Sequence, residues 1–75
     1  MKVTVKLFAT LRNYNENKQI LEVDEGSTPK DIIKKLNVPE TEVAIIMING
    51  RGSKLDSVLK EADVVALFPA VGGGW

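Results

Sequence analysis

Glu25-Gly26-Ser27-Thr28-Pro29-Lys30-Asp31-Ile32-Ile33-Lys34-Lys35-Leu36-Asn37-Val38-Pro39 is the stretch that decides the fold, because it sets one helix between runs that read as strands. Glu25-Gly26-Ser27 closes the segment before it. Thr28 offers the side-chain oxygen an N-cap requires, and Pro29 suits the first helical turn, where a missing N–H is harmless. Ile32, Ile33 and Leu36 form an apolar stripe, with Lys30, Asp31, Lys34 and Lys35 on the other side. Asn37 and Pro39 end the helix at Leu36 or Asn37. The basic group Lys30, Lys34 and Lys35 lies beside Asp31 and Glu40 and reads as a solvated helix face.

Upstream, Lys2–Phe8 alternates. Val3, Val5 and Leu7 share one side, and Lys2, Thr4, Lys6 and Phe8 share the other, the period of a half-buried strand. Phe8 is the misfit, an aromatic in phase with polar residues. Asn13-Tyr14-Asn15-Glu16-Asn17 is rich in turn-tolerant residues. Lys18–Val23 reads as a second strand with Leu21 and Val23 in phase, so the two runs form a hairpin. Downstream, Val43–Ile48 is apolar on both faces, as in a strand inside a sheet. Asn49-Gly50 is a turn signal, and Gly52 adds a second flexible point. Ser53–Ala62 holds Leu55, Val58 and Leu59 without clean periodicity and reads as loop and short turn. Asp63–Phe68 is a last strand, which Pro69 ends. A hairpin followed by a helical crossover yields a mixed sheet. The expected class is α+β, a β-grasp with four to five strands and one main helix across one face. Residues 1–69 are the expected domain and 70–75 a flexible Gly-rich tail.

Composition narrows the chemistry. The chain has 75 residues, with Lys+Arg 10 against Asp+Glu 10, no His and no Cys. A domain of this size buries only about 60% of its unfolded surface, near the limit for folding unaided. Without Cys there is no disulfide framework, iron–sulfur cluster or thiolate zinc site. Without His the commonest general base near neutral pH is also missing. A self-contained hydrolase or redox enzyme is a poor fit, and no bound metal or cofactor is expected. Zero net charge argues against nucleic acid as a partner. The longest apolar run, Val43–Ile48, is too short for a membrane span. The start, Met1-Lys2-Val3-Thr4, lacks signal-peptide organisation, so a soluble cytoplasmic protein is expected.

The end of the chain, Ala70-Val71-Gly72-Gly73-Gly74-Trp75, admits two readings. Consecutive glycines contribute nothing to a core and are costly to order, as in a frayed terminus. Alternatively, they form an arm slim enough to deliver a backbone carboxylate into another protein's active site. Val71 to Gly74 spans at most about 14 Å when extended. Phe68 lies out of phase with Val65 and Leu67. If the helix covers Val65 and Leu67, Phe68 joins Phe8 on the helix-free face. There the two rings form either an exposed partner patch or a minor core covered by Leu55 or Leu59.

Leu7-Phe8-Ala9-Thr10-Leu11-Arg12, Asn49-Gly50-Arg51 and the run Leu59–Gly74 occur in order and at suitable spacing. Across essentially the whole chain this resembles the MoaD/ThiS family of ubiquitin-like sulfur carriers. The Phe-Ala-x-Leu-Arg element is closer to the small subunit of molybdopterin synthase than to the thiazole carrier. The resemblance implies a non-catalytic subunit whose terminal glycine is adenylated and then converted to a thiocarboxylate. By position the reacting residue is Gly74, preceded by Gly73. Phe8, Leu59 and Phe68 match apolar docking positions and Arg12 a basic position near them, and the resemblance also implies partner contacts by Pro69, Val71 and Gly72 at the root of the tail. The nearer alternatives are core packing for the apolar side chains and ordinary surface charge for Arg12. The implied partners are a ubiquitin-activating-type adenylyltransferase, which uses ATP and Mg, and the molybdopterin synthase large subunit. Sulfur delivery to a thiazole, an amino acid or a tRNA base is a related possibility. A modifier joined to lysines and a plain binding module belong to other classes.

Trp75 departs from the Gly-Gly ending of the family and suggests a peptidase that removes it, or a longer tail used intact. Ala62 stands where the family favours Gly before Asp63, which implies a turn with no need for positive φ. Ala70 replaces a second Pro and leaves the tail root looser.

Overall fold

The computed structural model describes residues 1–70. Five strands and one helix are built: β1 Lys2–Leu7, β2 Lys18–Glu22, α1 Pro29–Lys35, β3 Val43–Ile48, β4 Arg51–Ser53 and β5 Val64–Pro69. The strand order is β2-β1-β5-β3-β4. β1 runs antiparallel to β2 and parallel to β5, and β5 is antiparallel to β3. This is the expected mixed sheet with one helix, a β-grasp.

α1 has only seven residues, too few to be stable by itself. Its start is reinforced by a reciprocal cap. The Thr28 N–H donates to Asp31 Oδ2 at 3.0 Å, and the Asp31 N–H donates to Thr28 Oγ1 at 3.4 Å. Asp31 is thus the second half of a capping box and not merely part of a solvated face. At the other end Asn15, from the turn after β1, donates through Nδ2 to the Leu36 carbonyl at 3.2 Å. The remaining support is tertiary: Ile32, Ile33 and Leu36 pack with Val3, Val5 and Leu7 of β1 and with Val65 and Leu67 of β5.

Loops complete the core. Ala9–Asn13 forms a 3-10 turn that carries Leu11 to 0% exposure, a buried position with no periodic signal. The segment after β4 is irregular, yet the Leu59 N–H bonds the Ser27 carbonyl at 2.8 Å and the Lys30 N–H bonds the Leu55 carbonyl at 3.1 Å. It is therefore held against the start of α1, and Leu59 falls to 2% exposure.

Asn49 (φ 53°) and Gly50 (φ 80°) make the tight turn between β3 and β4, with Ile48 opposite Arg51. Positive φ at both positions is what a two-residue hairpin of matching twist requires. The turn draws Arg51–Ser53 into a fifth strand, although Ser53 reads as loop. Asn49 also donates to Asp63 Oδ1 and accepts from the Val64 N–H, both at 2.9 Å, tying this turn to the start of β5.

The expectation for Ala62 is overturned, since its φ is 68°. The Asp63 N–H bonds the Lys60 carbonyl at 3.1 Å, closing a four-residue turn whose third position has positive φ. The turn keeps the shape that glycine favours although the glycine is absent.

Candidate partner-docking face

α1 and the Leu55–Leu59 segment cover one face of the sheet and leave the other open. Side chains alternate along a strand, so burying Val3, Val5 and Leu7 sends Thr4, Lys6 and Phe8 to the open face. In β5, burying Val65 and Leu67 sends Val64, Ala66 and Phe68 the same way. β1 and β5 are in register from Thr4↔Val64 to Leu7↔Leu67. The Phe8 N–H continues that alignment, bonding the Leu67 carbonyl at 3.1 Å.

Phe8 and Phe68 meet as a stacked pair, ring centroids 4.4 Å apart and planes 12° from parallel. Such a pair contributes about 0.5–1.5 kcal/mol beyond its buried area. Phe8 remains 38% exposed and Phe68 half-buried, so the stack keeps accessible surface. The minor-core alternative fails because Leu55 and Leu59 pack into the main core. The docking expectation for Leu59 gives way to packing for the same reason: at 2% exposure it offers a partner no side chain.

The open face is wider than Phe8 and Phe68 alone. Ile45 aligns with Phe68 and Met47 with Ala66, and both are half-buried. A strand apolar on both faces was the signal for them, since an interior strand over a single core needs only one. In β3 only Ile46 is buried, so the second apolar row serves the open face. Ile20 on β2 is 69% exposed.

Arg12 is exposed and turned back on its own 3-10 turn, its Nε donating to the Ala9 carbonyl at 3.3 Å. Pro69 is buried where β5 pairs with Val43, immediately after Phe68. The expectations for Val71, Gly72, Gly73, Gly74 and Trp75 lie outside the described residues. Among the described residues no group of His, Cys, Asp and Glu is placed to hold a metal ion. No helix there is long and apolar enough to cross a membrane.

A short helix across a five-stranded mixed sheet, with an apolar open face at the root of the C-terminal segment, defines a ubiquitin-like β-grasp protein. The ThiS family model matches residues 5–74, and the chain belongs to that family of small ubiquitin-like sulfur carriers and modifiers. Small carriers of the ThiS and MoaD type are generally non-catalytic. No curated protein matches the sequence.

Solved structures agree on the fold. SAMP1 from Haloferax volcanii superposes with a TM-score of 0.77 at 23% identity, over 99% of this chain and 100% of that one. A Pyrococcus furiosus protein described as molybdopterin converting factor subunit 1 is 31% identical, with a TM-score of 0.76 over 93% of this chain and 98% of its own. The chain is also similar to a Helicobacter pylori complex of subunits 1 and 2 of molybdopterin-converting factor. That match is 25% identical, with a TM-score of 0.66, covering 99% and 100%.

Proposed function

We propose that this protein carries sulfur on the backbone carboxylate of Gly74 for molybdopterin synthesis, and that it docks on its partners through Phe8 and Phe68. The observation that carries the reading is the accessible Phe8–Phe68 stack at the root of the tail. A partner that grips the stack holds Pro69 and the glycines after it at a set distance from its own active site. Similarity to the Pyrococcus furiosus subunit 1 supports the molybdopterin assignment. The Helicobacter pylori complex of subunits 1 and 2 supports a large subunit as one partner.

The chemistry follows from the weakness of a carboxylate as an electrophile, because its leaving group would be oxide. A Gly74 carboxylate oxygen attacks the α-phosphorus of ATP on an activating enzyme, and pyrophosphate leaves. Sulfur at the hydrosulfide level then adds to the acyl carbon and AMP departs, leaving a thiocarboxylate. Its sulfur attacks a carbon of the pterin precursor held by the large subunit and displaces an oxygen substituent from it, joining the precursor to Gly74 as a thioester. Water completes the release from the acyl carbon and restores the carboxylate. The ATP, the magnesium and the general bases belong to the partners. Arg12 is exposed and folded back on the Ala9 carbonyl, and it serves as a surface charge in this reading.

In this reading Gly74 must carry the free carboxylate, so Trp75 is released first by a peptidase. Intact mass measurement of the untagged protein from its host tests the proposal. The expected result is a chain ending at Gly74, a fraction of it heavier by the exchange of one oxygen for sulfur. Purified activating enzyme is expected to adenylate a chain ending at Gly74 much faster than one ending at Trp75. Equal rates would overturn the processing step. A ladder of isopeptide-linked targets without thiocarboxylate would replace the carrier reading with that of a protein modifier.

A further inference from the structure

Lys6 and Lys18 face each other across β1 and β2. The Leu7 N–H bonds the Asn17 carbonyl at 2.9 Å, and the Val23 N–H bonds the Met1 carbonyl at 2.8 Å. These bonds set the alternation of the ladder. Leu7 and Asn17 form a hydrogen-bonded pair, so Lys6 and Lys18 occupy the adjoining non-hydrogen-bonded position, where opposed side chains come closest. Like charges directly opposite each other destabilise a sheet. Lys2 meets Glu22 at an equivalent position of the same ladder, where the charges are matched. Among the described residues the one ion pair joins the Met1 α-amino group to Glu22 Oε2 at 3.4 Å, so neither Lys6 nor Lys18 has a carboxylate partner there.

The pair also sits where a partner would land. Lys6 aligns with Ala66, and Ala66 with Met47, so the cations continue the row beside the Phe8–Phe68 stack. Among the described residues no helix or loop covers this face. An uncompensated cation pair thus borders an accessible apolar centre.

We infer that the partner docked on Phe8 and Phe68 is a protein that presents carboxylate side chains opposite Lys6 and Lys18, an inference that rests on the docking reading above. Charge complementarity selects this occupant. A second copy related by a twofold axis would bring four lysines onto one contact. Nucleic acid would call for a broad basic surface, whereas this chain balances 10 basic against 10 acidic residues and sets its cation pair against apolar side chains. The repulsion within the free protein is relieved when carboxylates arrive. The pair therefore acts on association rate and choice of partner more than on the fold.

The test uses the full chain and its cognate activating enzyme, with association followed by stopped flow at low and high salt. The variants are the double substitution Lys6→Gln and Lys18→Gln, and separately Phe8→Ser. The double variant is expected to associate about 10-fold more slowly at low salt, with a flattened salt dependence. Its melting temperature is expected to be no lower than that of the wild type. An unchanged rate and salt slope, with Phe8→Ser impaired, would overturn the carboxylate inference and leave the docking reading standing. Unimpaired association by Phe8→Ser would overturn the docking reading and this inference with it. A wild-type dimer in solution that Phe8→Ser dissolves, or single-stranded DNA binding that the double variant loses, would also overturn it.

Discussion

Replacing Ala62 by glycine is expected to stabilise this protein, against the usual effect of adding a glycine. Ala62 has φ 68°, and three hydrogen bonds hold its turn in that shape. The Asp63 N–H reaches the Lys60 carbonyl at 3.1 Å, and the Ala62 N–H reaches the Lys2 carbonyl at 2.8 Å. The Lys60 N–H donates to Asp63 Oδ2 at 2.8 Å. A residue with a Cβ in this region of backbone space costs about 1–2 kcal/mol. Glycine removes that strain but widens the unfolded ensemble, at a cost of about 0.4–1 kcal/mol. Ala62 is exposed, so no packing is lost. The balance is about 0.8 kcal/mol in favour of the glycine variant, taking the middle of each range. At roughly 4–8 °C per kcal/mol for a domain of this size, the melting temperature rises by about 3–6 °C. Thermal unfolding followed by circular dichroism measures it, with urea unfolding at constant slope as a second reading. Ala66→Gly in the extended backbone of β5 is the control and is expected to lower the melting temperature. A melting temperature for Ala62→Gly equal to or below that of the wild type would refute the strain argument.

Leu59→Ala and Phe8→Ala are expected to separate core from docking face. The first costs about 2–5 kcal/mol because it empties a buried position, while the second leaves urea stability much closer to wild type and slows adenylation by the activating enzyme. At the β3–β4 turn, Asn49→Ala loses both side-chain hydrogen bonds to the Asp63–Val64 segment and retains a Cβ at φ 53°. Asn49→Gly loses only the hydrogen bonds, so its urea midpoint is expected to lie above that of the alanine variant. Tyr14 is the single tyrosine, and its hydroxyl donates to Glu42 Oε2. That bond, followed by burial and the Glu42 charge, raises the phenol above its ordinary 10.0. Because the folded-state value is the higher one, the stabilisation is complete below pH 10.0 and fades as pH rises through the folded-state value. Ultraviolet titration of the phenolate is expected to show a midpoint above the ordinary value, moving down in Glu42→Gln.

Most of the scaffold is legible residue by residue where local chemistry and burial agree. Thr28-Pro29 followed by Ile32, Ile33 and Leu36 starts and faces α1 correctly, because cap, ring and stripe all act within a few residues. The alternation of Val3, Val5 and Leu7 assigns β1 and its buried side for the same reason. Other positions resist because their environment comes from distant chain. Leu11 and Leu59 are buried by segments without periodicity, and backbone bonds from the Leu59 N–H and Lys30 N–H hold the Leu55–Leu59 segment against α1. Ala62 takes positive φ because bonds to Lys2 and Lys60 and the need to enter β5 in register outweigh its own preference.

The candidate site divides along the same line. Sequence alone determined that a helix crosses one side of a mixed sheet, that Phe8 is an aromatic in phase with the polar side of its strand, and that a glycine run follows Pro69. It also placed the chain's resemblance to small sulfur carriers in ordered motifs that span nearly its full length. Only the tertiary structure decided that Phe8 and Phe68 stack and stay accessible, that Leu59 is core, and that Ile45, Met47 and Lys18 join Lys6 on the stack's face. Strand periodicity tells which residues point the same way within one strand. Which strands are neighbours, in what register, and which face the helix covers are long-range choices, made when the single apolar core closes.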